Sequence, residues 1–391
     1  MKIIADENIP FAGECFSLVG EVTVLSGREL TAETVKDADI LLVRSVTEVG
    51  ERLLSGSRLK FVGTATIGFE HIDTDYLAKA GISFASAPGS NANSVAEYVI
   101  AALLEIGNKY NLALEGKSIG IIGVGNVGSR VAKKCEALGM RLFLNDPPLQ
   151  RRTGDKMYLH LEELFDCDIV TLHTPLTFEG VDKTYHLADE KFFSSLKKGC
   201  IFINTARGGV VDTSSLKDAI DKGILKSTVL DVWENEPDID CRLLEMVDIG
   251  TPHIAGYSLD GKVAGMMMIY KAACEYFKLP IEKKIEDFLP ETRASKIEIR
   301  DNHGNEQEIL RQTVKRVYDI TKDDADLRRI LNLPADKRSF IFDRLRKTYR
   351  IRREFQNKTV SVKKGSGSLA KKLEGIGFKV SEEANRKKRC T

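Results

Sequence analysis

Three short segments, far apart in the chain, carry ionisable side chains that together can move a hydride and a proton. They are NTARGG around Arg207, DVWENEP around Glu236 and TPHIAGY around His253. Each follows or ends an apolar run of strand type, and open α/β sheets bind ligands at such carboxyl ends. His253 can exchange a proton near neutral pH. Glu236 can orient the imidazole and stabilise its cation. Arg207, followed by two glycines, can present its planar fork to a carboxylate. An anchored carboxylate, a base for a hydroxyl proton and a hydride acceptor are what oxidation of a 2-hydroxy acid requires. Singly, each residue has a plainer reading: a structural histidine, a surface arginine, a Glu-Pro turn. Their joint occurrence downstream of a dinucleotide-type turn favours the functional one.

That turn is GVGNVG, a Gly-x-Gly-x-x-Gly element made of Gly123, Val124, Gly125, Asn126, Val127 and Gly128. Gly123 permits the tight turn, Gly125 lets backbone approach a pyrophosphate, and Gly128 lets the helix pack closely on the strand. The free N–H groups and the dipole at the start of that helix favour phosphates. The element follows the apolar run 118–122, and Asp146 ends the next strand 18 residues after Gly128. A carboxylate there accepts hydrogen bonds from an adenosine ribose and repels a 2′-phosphate, which points to NAD rather than NADP.

The elements that must position these groups alternate between strand and helix. Short apolar runs at 2–5, 22–25, 40–43, 61–64 and 82–85 read as buried strands, with helical spacing at 32–36, 49–54 and 73–79. A second series places strands at 118–122, 141–145, 169–172, 200–204 and 227–230, and helices at 126–138, 160–165, 189–195 and 213–222. Both series predict an α/β, doubly wound parallel sheet. A helical pattern at 94–107 lies between them, and another spans 259–277. Beyond Pro280 come charged helical segments broken at Pro290 and Pro334, then 359–362, 365–368 and the tail 385–391, which read as a small α+β unit.

With 391 residues, 42% hydrophobic and 29% charged, the chain is a multi-domain globular protein rather than a disordered, fibrous or disulfide-stapled one. The most apolar stretch, 95–106, is short and carries Glu97 and Glu105, so no membrane partner is expected. MKIIADENIP has no hydrophobic signal region, and the seven cysteines form no Cys-x-x-Cys pair. Reduced thiols in a cytoplasmic protein, with no metal site, are the expectation. Residues 341–391 hold 16 Lys and Arg against 5 Asp and Glu, whereas the first 340 hold 42 against 52. The basic tail lacks interleaved aromatics and follows an acidic body, so nucleic acid is not expected. His173 reads as structural, His71, His160, His186 and His303 as surface or packing residues, and Trp233 as core.

Taken in order and spacing, GIIGVGNVGSRVA, NDPP, LHTPLT, NTARGGVVD, LDVWENEP and TPHIAGYS resemble the D-isomer-specific 2-hydroxy acid dehydrogenase family over about the first 280 residues. The resemblance implies that His253 is the acid/base, Glu236 its partner and Arg207 the carboxylate anchor, with Asp231, Thr174 and Gly256 lining the cofactor. It implies a Rossmann NAD-binding domain at 94–255, inserted in a flavodoxin-like substrate-binding domain at 1–93 and 256–285. Residues 286–391 would then be a small α+β C-terminal dimerisation domain. Within the family, KIIADENIP, LLVRSVTEV, VGTATIGFEHIDTDYL and APGSNANSVAEYV resemble a subgroup that takes a small phosphorylated hydroxy acid and forms homodimers through such an extension. By that resemblance Ser45, Thr66 and Tyr257 bind substrate. Phosphoglycerate-type members have similar cores, but usually a Gly-rich stretch where this chain has Thr64 to Gly68. With Arg207 committed to the carboxylate, the phosphate needs other cations. Arg44, beside Ser45 at a strand end, is the first candidate, and the cluster Arg344, Arg346, Lys347 and Arg350 the second.

Overall fold

Short apolar runs become parallel strands where helices can bury both faces of the sheet. In the computed structural model, which describes residues 1–290, 296–299, 305–363 and 365–383, five such runs form the first sheet. They are β1 (Lys2–Asp6), β2 (Glu21–Leu25), β3 (Ile40–Val43), β4 (Phe61–Thr64) and β5 (Ser83–Ala85), all parallel in the order β2-β1-β3-β4-β5. Alternate side chains serve opposite faces, as the pleat dictates. Ile3, Ala5, Ile40 and Leu42 enter one core, while Ile4, Leu41, Val43 and Val62 enter the other.

The first of those cores is completed from far along the sequence. Val263, Met266, Ile269 and Tyr270 of the helix Leu259–Phe277 share it with Ile3, Phe16 and Phe61. Ser258 fixes the start of that helix by accepting from the Gly261 N–H at 2.8 Å. This compact unit, Met1–Ala92 with Tyr257–Glu291, is therefore assembled from separated parts of the chain.

The other unit, Asn93–Gly256 with Thr292–Thr391, holds two sheets. β6 (Ser118–Ile122), β7 (Arg141–Asn145), β8 (Ile169–Leu172), β9 (Cys200–Asn204), β10 (Leu225–Leu230) and β11 (Ile249–Gly250) are parallel in the order β11-β10-β9-β8-β6-β7. The chain runs from β6 out to β7 and then returns to β8 on the other side. That reversal opens a crevice at the carboxyl end of β6, where such sheets bind ligands. β12 (Ile297–Glu298), β13 (Thr359–Lys363) and β14 (Lys379–Glu383) form a third parallel sheet. The helix Gly367–Ile376 of this segment packs on the helix Asn126–Ala137. Arg311 pairs with Glu105 at 3.1 Å across the same junction. Of the 286–391 stretch expected as a third domain, the described residues from 292 onward cluster with the six-stranded sheet, whereas 286–290 stays with the first unit, where Phe288 joins its core.

Several elements differ from the sequence-based expectation. The helix at 94–107 runs longer, from Ala92 to Lys109, and the one at 160–165 is a single 3-10 turn, Leu161–Leu164. Helices Ala12–Phe16, Pro147–Thr153, Cys241–Met246 and Gly367–Ile376 and the short strands β11 and β12 have no counterpart in that expectation. The tail 385–391 with Cys390, and His303, lie outside the described residues. The other six cysteines are free. Among the described residues no helix is long and apolar enough to cross a membrane.

Candidate active site

At the carboxyl end of β6 the backbone turns at Gly123, whose φ of +85° lies in the left-handed region that glycine alone enters cheaply. A Cβ on Gly128 would sit 1.9 Å from the Gly123 carbonyl oxygen, so only glycine lets the helix start this close to the strand. A Cβ on Gly125 would meet nothing within 4 Å, and Gly125 and Asn126 are exposed, leaving the helix start open to a ligand. Asp146 braces this turn. Its Oδ2 accepts from the Val124 N–H at 2.8 Å, and its Oδ1 caps the helix Pro147–Thr153 by accepting from Leu149 at 2.9 Å. Each oxygen keeps a lone pair for a further donor. Beside the turn, the Thr174 hydroxyl oxygen is buried with no hydrogen-bond partner among the described residues. An open glycine cradle, a carboxylate beside it and an orphaned hydroxyl fit a bound dinucleotide.

The catalytic candidates follow three neighbouring strands. Arg207 comes after β9, Asp231 and Glu236 after β10, and His253 after β11, so parallel pairing brings all of them to one end of the sheet. Asn204 clamps the arginine loop, accepting from Ala206 N at 3.0 Å and donating to Arg207 O at 3.0 Å. Asp231 organises the histidine loop. It is buried, and its Oδ1 accepts from Thr251 Oγ1 at 2.6 Å and Ile254 N at 2.8 Å, its Oδ2 from Ala255 N at 2.9 Å. Burial pushes the Asp231 carboxyl up, against the pull of His253 and these donors.

His253 itself adopts φ +55°, with its N–H donating to Asp231 O at 2.7 Å. Its Nδ1 lies 2.7 Å from Glu236 Oε2. Glu236 is oriented in turn by the Trp233 N–H, which donates to Oε1 at 2.8 Å. Burial raises the Glu236 carboxyl, but the charge and hydrogen bond of His253 outweigh it and hold the group below the usual carboxylate range. An ionised Glu236 requires the hydrogen on Nδ1. Nε2 then carries the lone pair, and among the described residues it makes no hydrogen bond. Trp233 is buried as expected, and its Nε1 donates to Thr251 O at 2.9 Å, tying the Glu236 and His253 loops together.

In the first unit, Arg44 and Ser45 follow β3 and Thr66 follows β4. Arg44 Nη1 donates to Asn8 O at 3.2 Å and its Cζ lies 5.9 Å from the Tyr257 ring centroid. Ser45 is exposed, and Thr66 Oγ1 donates to Gly68 O at 2.8 Å. Lys262, which sequence alone did not single out, lies 4.6 Å from the same Tyr257 ring. The C-terminal basic cluster is largely engaged: Arg344 lies over Phe340, Arg346 is 3.8 Å from Asp343, and Arg350 pairs with Asp323. His186, expected without a partner, instead bonds Glu234 at 2.7 Å, and His71 is buried 3.2 Å from Thr64 Oγ1. His173, read as structural, sits between the hydroxyls of Thr171 at 3.0 Å and Thr205 at 3.2 Å. Among the described residues no three His, Cys, Asp or Glu side chains gather as a metal site would require.

Residues 104–255 match the family model described as D-isomer specific 2-hydroxyacid dehydrogenase, NAD binding domain, and residues 288–377 match a domain of unknown function. The erythronate-4-phosphate dehydrogenase of Hahella chejuensis is 43% identical over 383 residues, covering 98% of this chain and 100% of that one. That of Escherichia coli is 45% identical over 359 residues, 91% of this chain and 93% of the relative. Among solved structures, the D-lactate dehydrogenase of Aquifex aeolicus complexed with NAD and lactic acid gives a TM-score of 0.59 at 28% identity, over 71% of this chain and 96% of that one. The cofactor-bound 3-phosphoglycerate dehydrogenase of Entamoeba histolytica gives 0.61 at 25% identity, over 74% and 99%. With the glycine cradle and the arginine, glutamate and histidine loops in place, near-full-length similarity decides the matter: the chain belongs to the erythronate-4-phosphate dehydrogenase family of D-isomer-specific 2-hydroxyacid dehydrogenases.

Proposed function

We propose that the chain oxidises 4-phospho-D-erythronate at its 2-hydroxyl to 2-oxo-3-hydroxy-4-phosphobutanoate, with NAD as acceptor, as a step of pyridoxal 5′-phosphate (vitamin B6) biosynthesis. The observation that carries this reading is the 2.7 Å contact of His253 Nδ1 with Glu236 Oε2 in a chain so similar to relatives named for that substrate. His253 Nε2 takes the hydroxyl proton, and the Glu236 carboxylate stabilises the imidazolium so formed. Arg207 holds the substrate carboxylate with two parallel N–H donors. When bound, NAD supplies the acceptor for the hydride that leaves C2. Gly123, Gly125, Asn126, Val127 and Gly128 hold its pyrophosphate, Asp146 its ribose, and Thr174, Asp231 and Gly256 its nicotinamide end. Arg44, Ser45, Thr66 and Tyr257 bind the substrate.

In this reading 1–93 and 256–285 serve the substrate, 94–255 the cofactor, and 286–391 a homodimer. The exposed Phe340 and Ile351, at 66% and 80% exposure, support an interface in that last segment, and light scattering on Phe340→Asp tests it. The six free cysteines among the described residues support a reducing compartment, the cytoplasm in this reading, and the reading includes neither nucleic acid nor membrane as partner. Steady-state oxidation of 4-phospho-D-erythronate and 3-phospho-D-glycerate tests the substrate. A strong preference for the second overturns the assignment in favour of a phosphoglycerate-type dehydrogenase.

A further inference from the structure

Lysines are seldom placed in a partly buried position without a carboxylate, because desolvating an ammonium costs several kcal/mol and a counter-charge normally offsets part of it. Lys262, in the first turn of the helix Leu259–Phe277, departs from that rule. It is half-buried, and no ion pair or hydrogen bond engages its ammonium among the described residues. Burial and then the charge of Arg44 both push its ammonium down, to about 8, and no carboxylate acts in the other direction.

Arg44 comes from a different part of the chain, after β3, yet meets Lys262 at one side chain. The Tyr257 ring has Lys262 Nζ at 4.6 Å and Arg44 Cζ at 5.9 Å from its centroid. Of the five N–H donors of Arg44, one is directed at Asn8 O at 3.2 Å, and no carboxylate pairs with the guanidinium among the described residues. Two neighbouring cations lacking an anion raise each other's energy. A ligand carrying two negative charges relieves both.

We propose that Lys262 and Arg44 together form the phosphate subsite, gripping the phosphate monoester of the substrate beside Tyr257. The assignment rests on the reading that the substrate is a phosphorylated hydroxy acid. It leaves the substrate carboxylate to Arg207. Lys262 acts as a compact charge, and Arg44 as a planar fork that fixes the direction of the phosphate. The C-terminal basic cluster is not needed for this contact, since Arg346 and Arg350 face Asp343 and Asp323.

The test compares K262Q and K262R with the unmodified enzyme on 4-phospho-D-erythronate and on D-erythronate. K262Q is expected to raise KM for the phosphorylated substrate roughly 10- to 100-fold, the worth of a charge-assisted hydrogen bond, with little change in kcat. K262R recovers much of that loss, and neither variant alters the kinetics with D-erythronate. Equal losses on both substrates, or a K262R enzyme no better than K262Q, overturn the subsite. A second measurement needs no variant: acetic anhydride labels the lysines of the full-length enzyme, and mass spectrometry follows Lys262 with and without inorganic phosphate. Phosphate is expected to slow labelling of Lys262 selectively; an unchanged rate overturns the proposal. If the enzyme oxidises 4-phospho-D-erythronate but phosphate does not protect Lys262, the subsite alone fails. If phosphate protects Lys262 and another phosphorylated acid is the better substrate, only the substrate reading fails.

Discussion

Arg352 Nη1 donates to the carbonyl oxygen of Ala255 at 3.1 Å, two residues beyond His253. Its Nη2 donates to Ser94 O at 2.7 Å, and the guanidinium lies 3.8 Å from the Tyr318 ring centroid. Glu97, 4.0 Å away, is fully buried; burial and then the nearby Glu354 push its carboxyl up to about 8. On the other side of the histidine loop, Asp324 accepts from Gly250 N at 2.8 Å, and Arg328 donates to Leu244 O at 2.8 Å and Val247 O at 2.7 Å. The segment that matches a domain of unknown function therefore grips the backbone both before and after His253.

Arg352→Met is expected to lower both stability and turnover. It strips donors from two buried carbonyls, at about 1–3 kcal/mol each, and slackens the loop whose amides hold Asp231. NAD affinity, set mainly at the glycine turn, changes less than kcat. Thermal melting and steady-state kinetics at a temperature where the variant is still folded separate the two effects. A wild-type kcat under those conditions would show that the loop keeps its shape unaided.

His253→Ala should reduce turnover by roughly two to four orders of magnitude, the usual contribution of a positioned general base, while NAD binding stays near normal. Glu236→Gln still accepts a hydrogen bond but no longer offsets the imidazolium charge, and should lose about tenfold, the difference between charged and neutral hydrogen bonds. Fluorescence titration with NAD alongside turnover checks both. Normal turnover in His253→Ala would remove the proton-transfer role.

Much of this site was legible because buried parallel strands are continuous apolar runs, and the catalytic residues stand soon after them. CIFIN and TVL mark β9 and β10 without ambiguity; Arg207 comes three residues after the first, and Asp231 directly after the second. Elements held by distant partners were not legible. Pro147 and Pro148 look like a break, yet proline is tolerated where a helix begins, and Asp146 supplies the cap. β11 has only two residues and exists through its pairing with β10. The stretch IRREF belongs to a basic run that resembles a solvated surface, but Arg352 and Glu354 are 3% and 4% exposed. Their partners, Ser94, Glu97 and Ala255, lie about a hundred or more residues away, and no local pattern announces them.

Asp146→Ala should weaken NAD binding and narrow its advantage over NADP, because the ribose acceptor and the repulsion of a 2′-phosphate are both lost. The same change removes the cap on Leu149 and the tie to Val124, at about 1 kcal/mol for the cap. Asp146→Asn keeps one oxygen, enough for only one of those two amides, and drops the charge, so melting temperatures of both variants are needed to set the folding cost apart from cofactor choice. Binding constants for NAD and NADP measured on both variants decide it. An unchanged ratio in both would mean that the carboxylate serves the backbone alone.

His173 offers a test by pH. Its ring is held between the hydroxyls of Thr171 and Thr205, and burial pushes its pKa down to about 3. In the unfolded chain a histidine takes up its proton near pH ~6.5. Between these values the unfolded state binds a proton that the folded state refuses, so stability falls as pH drops. The contribution is fully present above about pH 6.5 and is lost progressively towards the folded value. His173→Gln removes the titration and leaves every other group in place. The expected result is a smaller loss of melting temperature between neutral pH and pH ~5 in the variant than in the unmodified protein. The slope with pH is the readout, because the substitution also changes stability at neutral pH by altering contacts with the two threonines. Parallel slopes would show that His173 protonates freely in the folded chain and is not held as a neutral ring between the two threonines.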